Sequence, residues 1–169
     1  MNRYPTKKGY SLLEMLIYIS ILTVIFILIV NTTISFTRSY RDLFVLRAIE
    51  HSAITSLERM TRDIRNSTSL DTVQSAFGTT PGTLVINQTI IGTTTVAKFY
   101  VQSGVLKVDV GGAYVGPLTL SNVVVTNLTF TQLLSGNSSA VKIDLTLQGT
   151  SGQVVKSKKF HSTIILKGS

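Results

Sequence analysis

From residue 10 to residue 30 the chain reads YSLLEMLIYISILTVIFILIV, 21 residues whose only charge is Glu14. A helix needs about 20 apolar residues to cross the hydrocarbon of a bilayer, so the pattern predicts a membrane span. A secretory signal would have a shorter apolar region, roughly 7 to 15 residues, with a small-residue cleavage site behind it. Nothing after Val30 resembles such a site, and the segment is expected to stay with the mature protein. The pattern then becomes amphipathic: Leu43, Leu46, Ala53, Ile54, Leu57, Met60 and Ile64 recur at three- and four-residue steps among Arg47, Glu58, Arg59, Arg62, Asp63 and Arg65. This is the signature of a helix with one buried face. No Gly or Pro lies between Tyr10 and Asn66, so a single rod of about 55 residues, roughly 80 Å, is expected. Asn66-Ser67-Thr68-Ser69 reads as its polar exit.

Beyond residue 83 the period changes to two. β-Branched runs at 83–91, 94–102, 105–110, 122–132, 140–148 and 154–166 are separated by turn residues, and Gly111-Gly112 reads as a hairpin turn. Alternation is clearest at Val141, Ile143, Leu145 and Leu147, which fall on one strand face. The fold class expected is α+β: a long N-terminal helix packed against one face of a C-terminal antiparallel sheet.

Composition narrows the function. Of 169 residues only 14% are charged, and there is no Cys and no Trp. The length leaves room for one body of ordinary size beside the span. Without cysteine there is no disulfide framework and no thiolate metal site. His51 and His161 are isolated in sequence, no hydrolase, zinc or phosphate-loop motif occurs, and Asp71, Asp109 and Asp144 are scattered. No catalytic residue, metal site or cofactor is expected. Glu58 with Arg62, and Arg59 with Asp63, stand at the spacing of solvated helical ion pairs.

The formal charge of +8 gathers at the ends: Arg3, Lys7 and Lys8 precede the span, and Lys156, Lys158, Lys159 and Lys167 lie near the C-terminus. Without the first three cations the charge falls to +5. No basic stretch is interleaved with stacking aromatics, which argues against nucleic acid as a partner. The basic flank before the span favours a cytoplasmic N-terminus with the body outside, against Arg38 and Arg41 on the far side.

Glu14 is the anomaly. A carboxylate deep in a bilayer costs on the order of 2.5 to 3.5 kcal/mol on insertion scales, and less near the interface. The string Lys7-Lys8-Gly9-Tyr10-Ser11-Leu12-Leu13-Glu14, leading into an unbroken apolar run, resembles the class III leader of type IV prepilins and pseudopilins. The resemblance implies a leader at 1–9, cut between Gly9 and Tyr10 by a membrane aspartyl peptidase, followed by N-methylation of Tyr10. Tyr10 stands where the family usually has Phe or Met, and the span lacks the proline common in major pilins.

The same resemblance places Glu14 at the family's fifth mature position. There its carboxylate would pair with the N-terminal amine of a neighbouring subunit, while Leu12, Leu13, Leu16 and Ile17 would pack in a filament core. It implies a span and filament-core segment at 10–37 and a periplasmic or extracellular head at 38–169, with its helix at 38–66 and its sheet at 83–166. The Glu-Arg and Arg-Asp pairing near residue 60, Phe99 to Lys107, Pro117-Leu118-Thr119 and Phe160 resemble the J-type minor pseudopilin of type II secretion and the PilW-type minor pilin. Expected partners are other subunits, the prepilin peptidase and an inner-membrane assembly platform, with the tip of the filament as the expected position. Two alternatives stand beside this: a competence or adhesion pilin whose head binds DNA or a surface through Lys156, Lys158 and Lys159, and a signal-anchored β-domain outside any filament.

Overall fold

The computed structural model describes Gly9 and residues 11–90, 92–135 and 138–166. The chain divides into two compact units, Met1–Tyr40 and Arg41–Ser169. One helix, α1 (Leu12–Arg65, 54 residues), contributes to both. It begins two residues after Tyr10 and ends one residue before Asn66, where the polar Asn66-Ser67-Thr68-Ser69 begins. Eight strands follow: β1 (Ser67–Leu70), β2 (Leu84–Ile90), β3 (Thr93–Gln102), β4 (Val105–Val110), β5 (Ala113–Pro117), β6 (Val123–Ser135), β7 (Ser138–Ser151) and β8 (Val154–Ile165). The α+β class and the antiparallel pairing agree with the reading of the sequence.

In the first unit, residues from Leu12 to Tyr40 are helical and almost wholly exposed within the chain. Ser20, Thr23, Thr32, Thr33 and Thr37 each donate their hydroxyl to the backbone carbonyl four residues earlier, at 2.8–2.9 Å. These five hydroxyls are therefore satisfied by the helix itself.

In the second unit the strands form two sheets where one was expected. The order is β1-β2-β3-β4-β5 in the first and β6-β7-β8 in the second, each an antiparallel meander. Two strands were not foreseen. Ser67–Leu70, read as a polar exit from the helix, is strand β1, paired to β2 across a bulge between Ser67 and Ser69. Ala113–Pro117 forms β5, joined to β4 through Gly111-Gly112, and both glycines have positive φ (61° and 81°) as a two-residue hairpin turn requires.

Register explains which side chains turn inward. Leu84, Phe99 and Val108 lie opposite one another in the first sheet, and Leu128, Leu145 and Phe160 in the second. Val123, Val125, Leu128 and Phe130 break simple alternation, yet all four are buried, because a bulge between Val125 and Asn127 absorbs the extra residue. Both inner faces meet Val45, Ala48, Ile49, Ala53, Met60 and Ile64 of α1 in one apolar core. At Gly149 the backbone of β7 comes so close that an added Cβ would lie 2.9 Å from Val45 and from Ile49.

The two sheets are held together by backbone bonds along the free side of β6. Gly78 and Gly82 donate to the carbonyls of Phe130 and Leu128 (2.8 and 2.7 Å), and Val125 donates to Gly104 (2.8 Å). The connection from β5 to β6 docks on α1: Ser56 Oγ donates to the Leu118 carbonyl (3.1 Å), and Leu120 N donates to Ser52 Oγ (3.2 Å). Both serines are buried, and their small size lets this connection lie against the helix.

Candidate assembly site

The apolar half of α1 is long and apolar enough to cross a membrane, and none of its most apolar window is buried within the chain. Twelve Leu, Ile, Val and Phe side chains lie between residues 15 and 30. On insertion scales each contributes about 0.3 to 0.6 kcal/mol, or about 4 to 7 kcal/mol together, which outweighs the roughly 2.5 to 3.5 kcal/mol cost of one carboxylate. The helix therefore suits a membrane despite Glu14. The acidic residue also lies in the first turn of α1, where the helix dipole favours an anion.

Of the residues singled out from the sequence, Gly9 is described, with open space around it among the described residues, whereas Lys167 lies outside them. Tyr10, the expected first mature residue and methylation site, and Arg3, Lys7 and Lys8 of the leader lie outside the described residues. Leu12, Leu13, Leu16 and Ile17 are all exposed, with Leu12 at 85% and Leu13 at 69%. They do not share one face with Glu14, because helix positions one or two apart point in different directions and only those three or four apart are neighbours. Leu12 and Leu16 stand on the side away from Glu14. A contact using all five must come from several sides of the helix.

The side chain that α1 does bring to Glu14 is Tyr18, whose hydroxyl donates to Glu14 Oε1 at 2.8 Å. Sequence reasoning took Tyr18 only as part of the apolar run. The four-residue spacing from the sole carboxylate was the signal available for it.

In the head, the structure divides the three lysines considered for DNA or surface contact. Lys156 Nζ lies 3.2 Å from Asp42 Oδ2, and Lys158 Nζ lies 2.7 Å from Glu50 Oε1, both on the exposed flank of α1. Strand alternation sends Lys159 to the opposite face of β8, where it pairs in register with Thr146. The three are thus not gathered into one cationic patch.

On that opposite face Asp144 is hydrogen-bonded to His161 and lies 3.1 Å from Lys142 Nζ. The bond from His161 holds the Asp144 carboxyl below its ordinary value, with Lys142 acting the same way and partial burial opposing both. Of the helical ion pairs expected near residue 60, Arg59 to Asp63 is present at 2.7 Å, and Gln88 Nε2 donates to the Asp63 carbonyl at 2.9 Å. Glu58 makes no ion pair with Arg62 among the described residues; Arg62 approaches Asp63 instead, at 4.0 Å. Among the described residues no three His, Cys, Asp or Glu side chains stand together as metal ligands. No family model matches the chain, and no curated protein or solved structure matches it either.

Proposed function

We propose that the chain is a minor pilin or pseudopilin subunit, of the J or PilW type, that works by assembly and has no enzymatic activity. In this reading the leader is removed after Gly9, the helix resides in the cytoplasmic membrane with its N-terminus inside and its head outside, and the processed subunit enters a filament of type II secretion or of type IV pili. At the tip of that filament, with other minor subunits, it primes assembly. The observation that carries the reading is an apolar half-helix whose most apolar window is unburied among the described residues and which bears a single carboxylate in its first turn, in a protein whose other unit packs the remainder of that helix against β-sheets.

A carboxylate is an expensive residue to keep in a simple anchor. It becomes useful when a neighbouring subunit supplies a cation, here the freed amine of a helix displaced along the filament axis, because opposite charges attract strongly where water is excluded. Leu12, Leu13, Leu16 and Ile17, spread around the helix, then meet other subunits on several sides. Lipid is exchanged for side chains of similar polarity, so the transfer leaves the apolar surface covered throughout.

Two measurements test the proposal. Intact-mass analysis of the protein from cells that contain the peptidase should show loss of residues 1–9 and a methyl group on Tyr10; persistence of the leader would leave a signal-anchored β-domain. Glu14→Ala should leave membrane insertion intact and reduce filament incorporation on the order of a hundredfold, corresponding to about 3 kcal/mol for a buried ion pair deprived of one partner. Unchanged incorporation would refute the pairing.

A further inference from the structure

Tyr18 and Glu14 share a strip of α1 one turn apart, and their bond is a direct side-chain contact, Tyr18 Oη to Glu14 Oε1 at 2.8 Å. Helical side chains lean toward the N-terminus, so a residue covers the turn before it. Tyr18 therefore reaches back over Glu14 as a consequence of its position. Five other hydroxyls of the apolar half behave differently: those of Ser20, Thr23, Thr32, Thr33 and Thr37 each return to a backbone carbonyl. A phenol hydroxyl is carried too far from the backbone to do this. In hydrocarbon it needs a side-chain acceptor, and Glu14 is the acceptor one turn away.

A glutamate carboxylate has two oxygens and about four acceptor positions. Tyr18 takes one on Oε1, and among the described residues no hydrogen bond is made to Oε2. We propose that Tyr18 is a positioning residue for Glu14, holding its carboxylate on the Tyr18 side of the helix so that Oε2 is the atom presented to the cation of an adjoining subunit. This rests on the filament reading and deepens it by assigning the direction of the contact. A free glutamate samples many rotamers and loses that freedom on pairing. A side chain already fixed by a phenol does not, so association is favoured by preorganisation. The hydroxyl also supplies a polar partner for the carboxylate while the subunit is still alone in the membrane.

The test uses the full-length protein in cells that assemble the filament, with incorporation measured relative to the membrane-inserted pool. Tyr18→Phe keeps the ring and removes the donor; incorporation should fall about tenfold, the factor expected for one charge-assisted hydrogen bond. Tyr18→Gln loses the ring but restores a donor at the same spacing, and should recover most of that loss. A packing role for the ring predicts the reverse order, with Phe harmless and Gln defective, and that result would overturn the proposal. Glu14→Ala separates the two levels of inference. If it abolishes incorporation while Tyr18→Phe behaves as wild type, only the positioning role falls; if Glu14→Ala is itself harmless, the filament pairing falls and the role of Tyr18 with it. Solid-state NMR of the full chain in phospholipid vesicles provides a readout without the filament. A correlation between the Glu14 carboxyl carbon and the Tyr18 phenol carbon is expected, and its absence refutes the contact.

Discussion

Replacing Gly149 by Ala probes how closely α1 is seated on the second sheet. The new methyl would lie 2.9 Å from Val45 Cγ1, 2.9 Å from Ile49 Cγ1 and 3.2 Å from Ile49 Cδ1. Two of these separations are about 1 Å shorter than a comfortable carbon–carbon contact. Both Cγ1 atoms belong to fully buried β-branched side chains with few alternative rotamers. Relief must therefore come from moving the helix or the strand, and overpacking of this kind costs about 1 to 3 kcal/mol. Alanine recovers about 0.5 to 1 kcal/mol by reducing the freedom of the unfolded chain. The net expectation is a loss of about 1 to 2 kcal/mol, or roughly 4 to 8 °C in melting temperature for a head of this size. Urea unfolding of the full-length protein in mild detergent, followed by the β-sheet circular dichroism signal, measures it. Gly149→Val should be worse than Gly149→Ala. Stability equal to or above wild type in both variants would refute the close seating of Val45 and Ile49 on β7.

Two further perturbations address the head. Because Asp144 is held below its ordinary carboxyl value of 3.8, its pairing contributes stability above that value and loses it as pH falls through the lowered one. Asp144→Asn should therefore flatten the decline in unfolding midpoint below about pH 4, and an identical acid limb in both proteins would count against the pair. Ser52→Ala removes the acceptor for Leu120 N at the docked connection and should lower stability by about 1 kcal/mol in the same urea assay, whereas an unchanged midpoint would show that the connection is held by other contacts.

Much of this architecture is legible because long-period signals are robust. The apolar run places the start of α1 and the polar Asn66-Ser67-Thr68-Ser69 its end, each to within two residues, and the alternation through Val141 to Leu147 correctly marks four buried side chains. The misses have physical causes. Strand β1 is Ser-Thr-Ser-Leu, with no apolar alternation of its own; its conformation comes from pairing with β2. β5 is mostly exposed and carries a glycine, so it lacks the pattern that betrays a half-buried strand. The division into two sheets is written in no local pattern; the connection between them, at Leu118 and Leu120, docks on Ser56 and Ser52, 62 and 68 residues earlier. At the candidate site, Glu14 was conspicuous because a charge in an apolar run is rare. Tyr18 was not, because an aromatic ring there looks like any other apolar residue until its hydroxyl is given a partner.

The five serine and threonine hydroxyls that fold back on the α1 backbone have their hydrogen-bond donors satisfied within the helix. None of them must break a bond to lipid headgroup, water or protein when the surroundings of the helix are replaced. Such a segment is portable: it can leave one nonaqueous environment and enter another with its internal polar bonds unchanged. The one charge of that half is Glu14, and under the filament reading proposed above the balance between lipid and neighbouring subunits would turn on which offers that carboxylate the better partner.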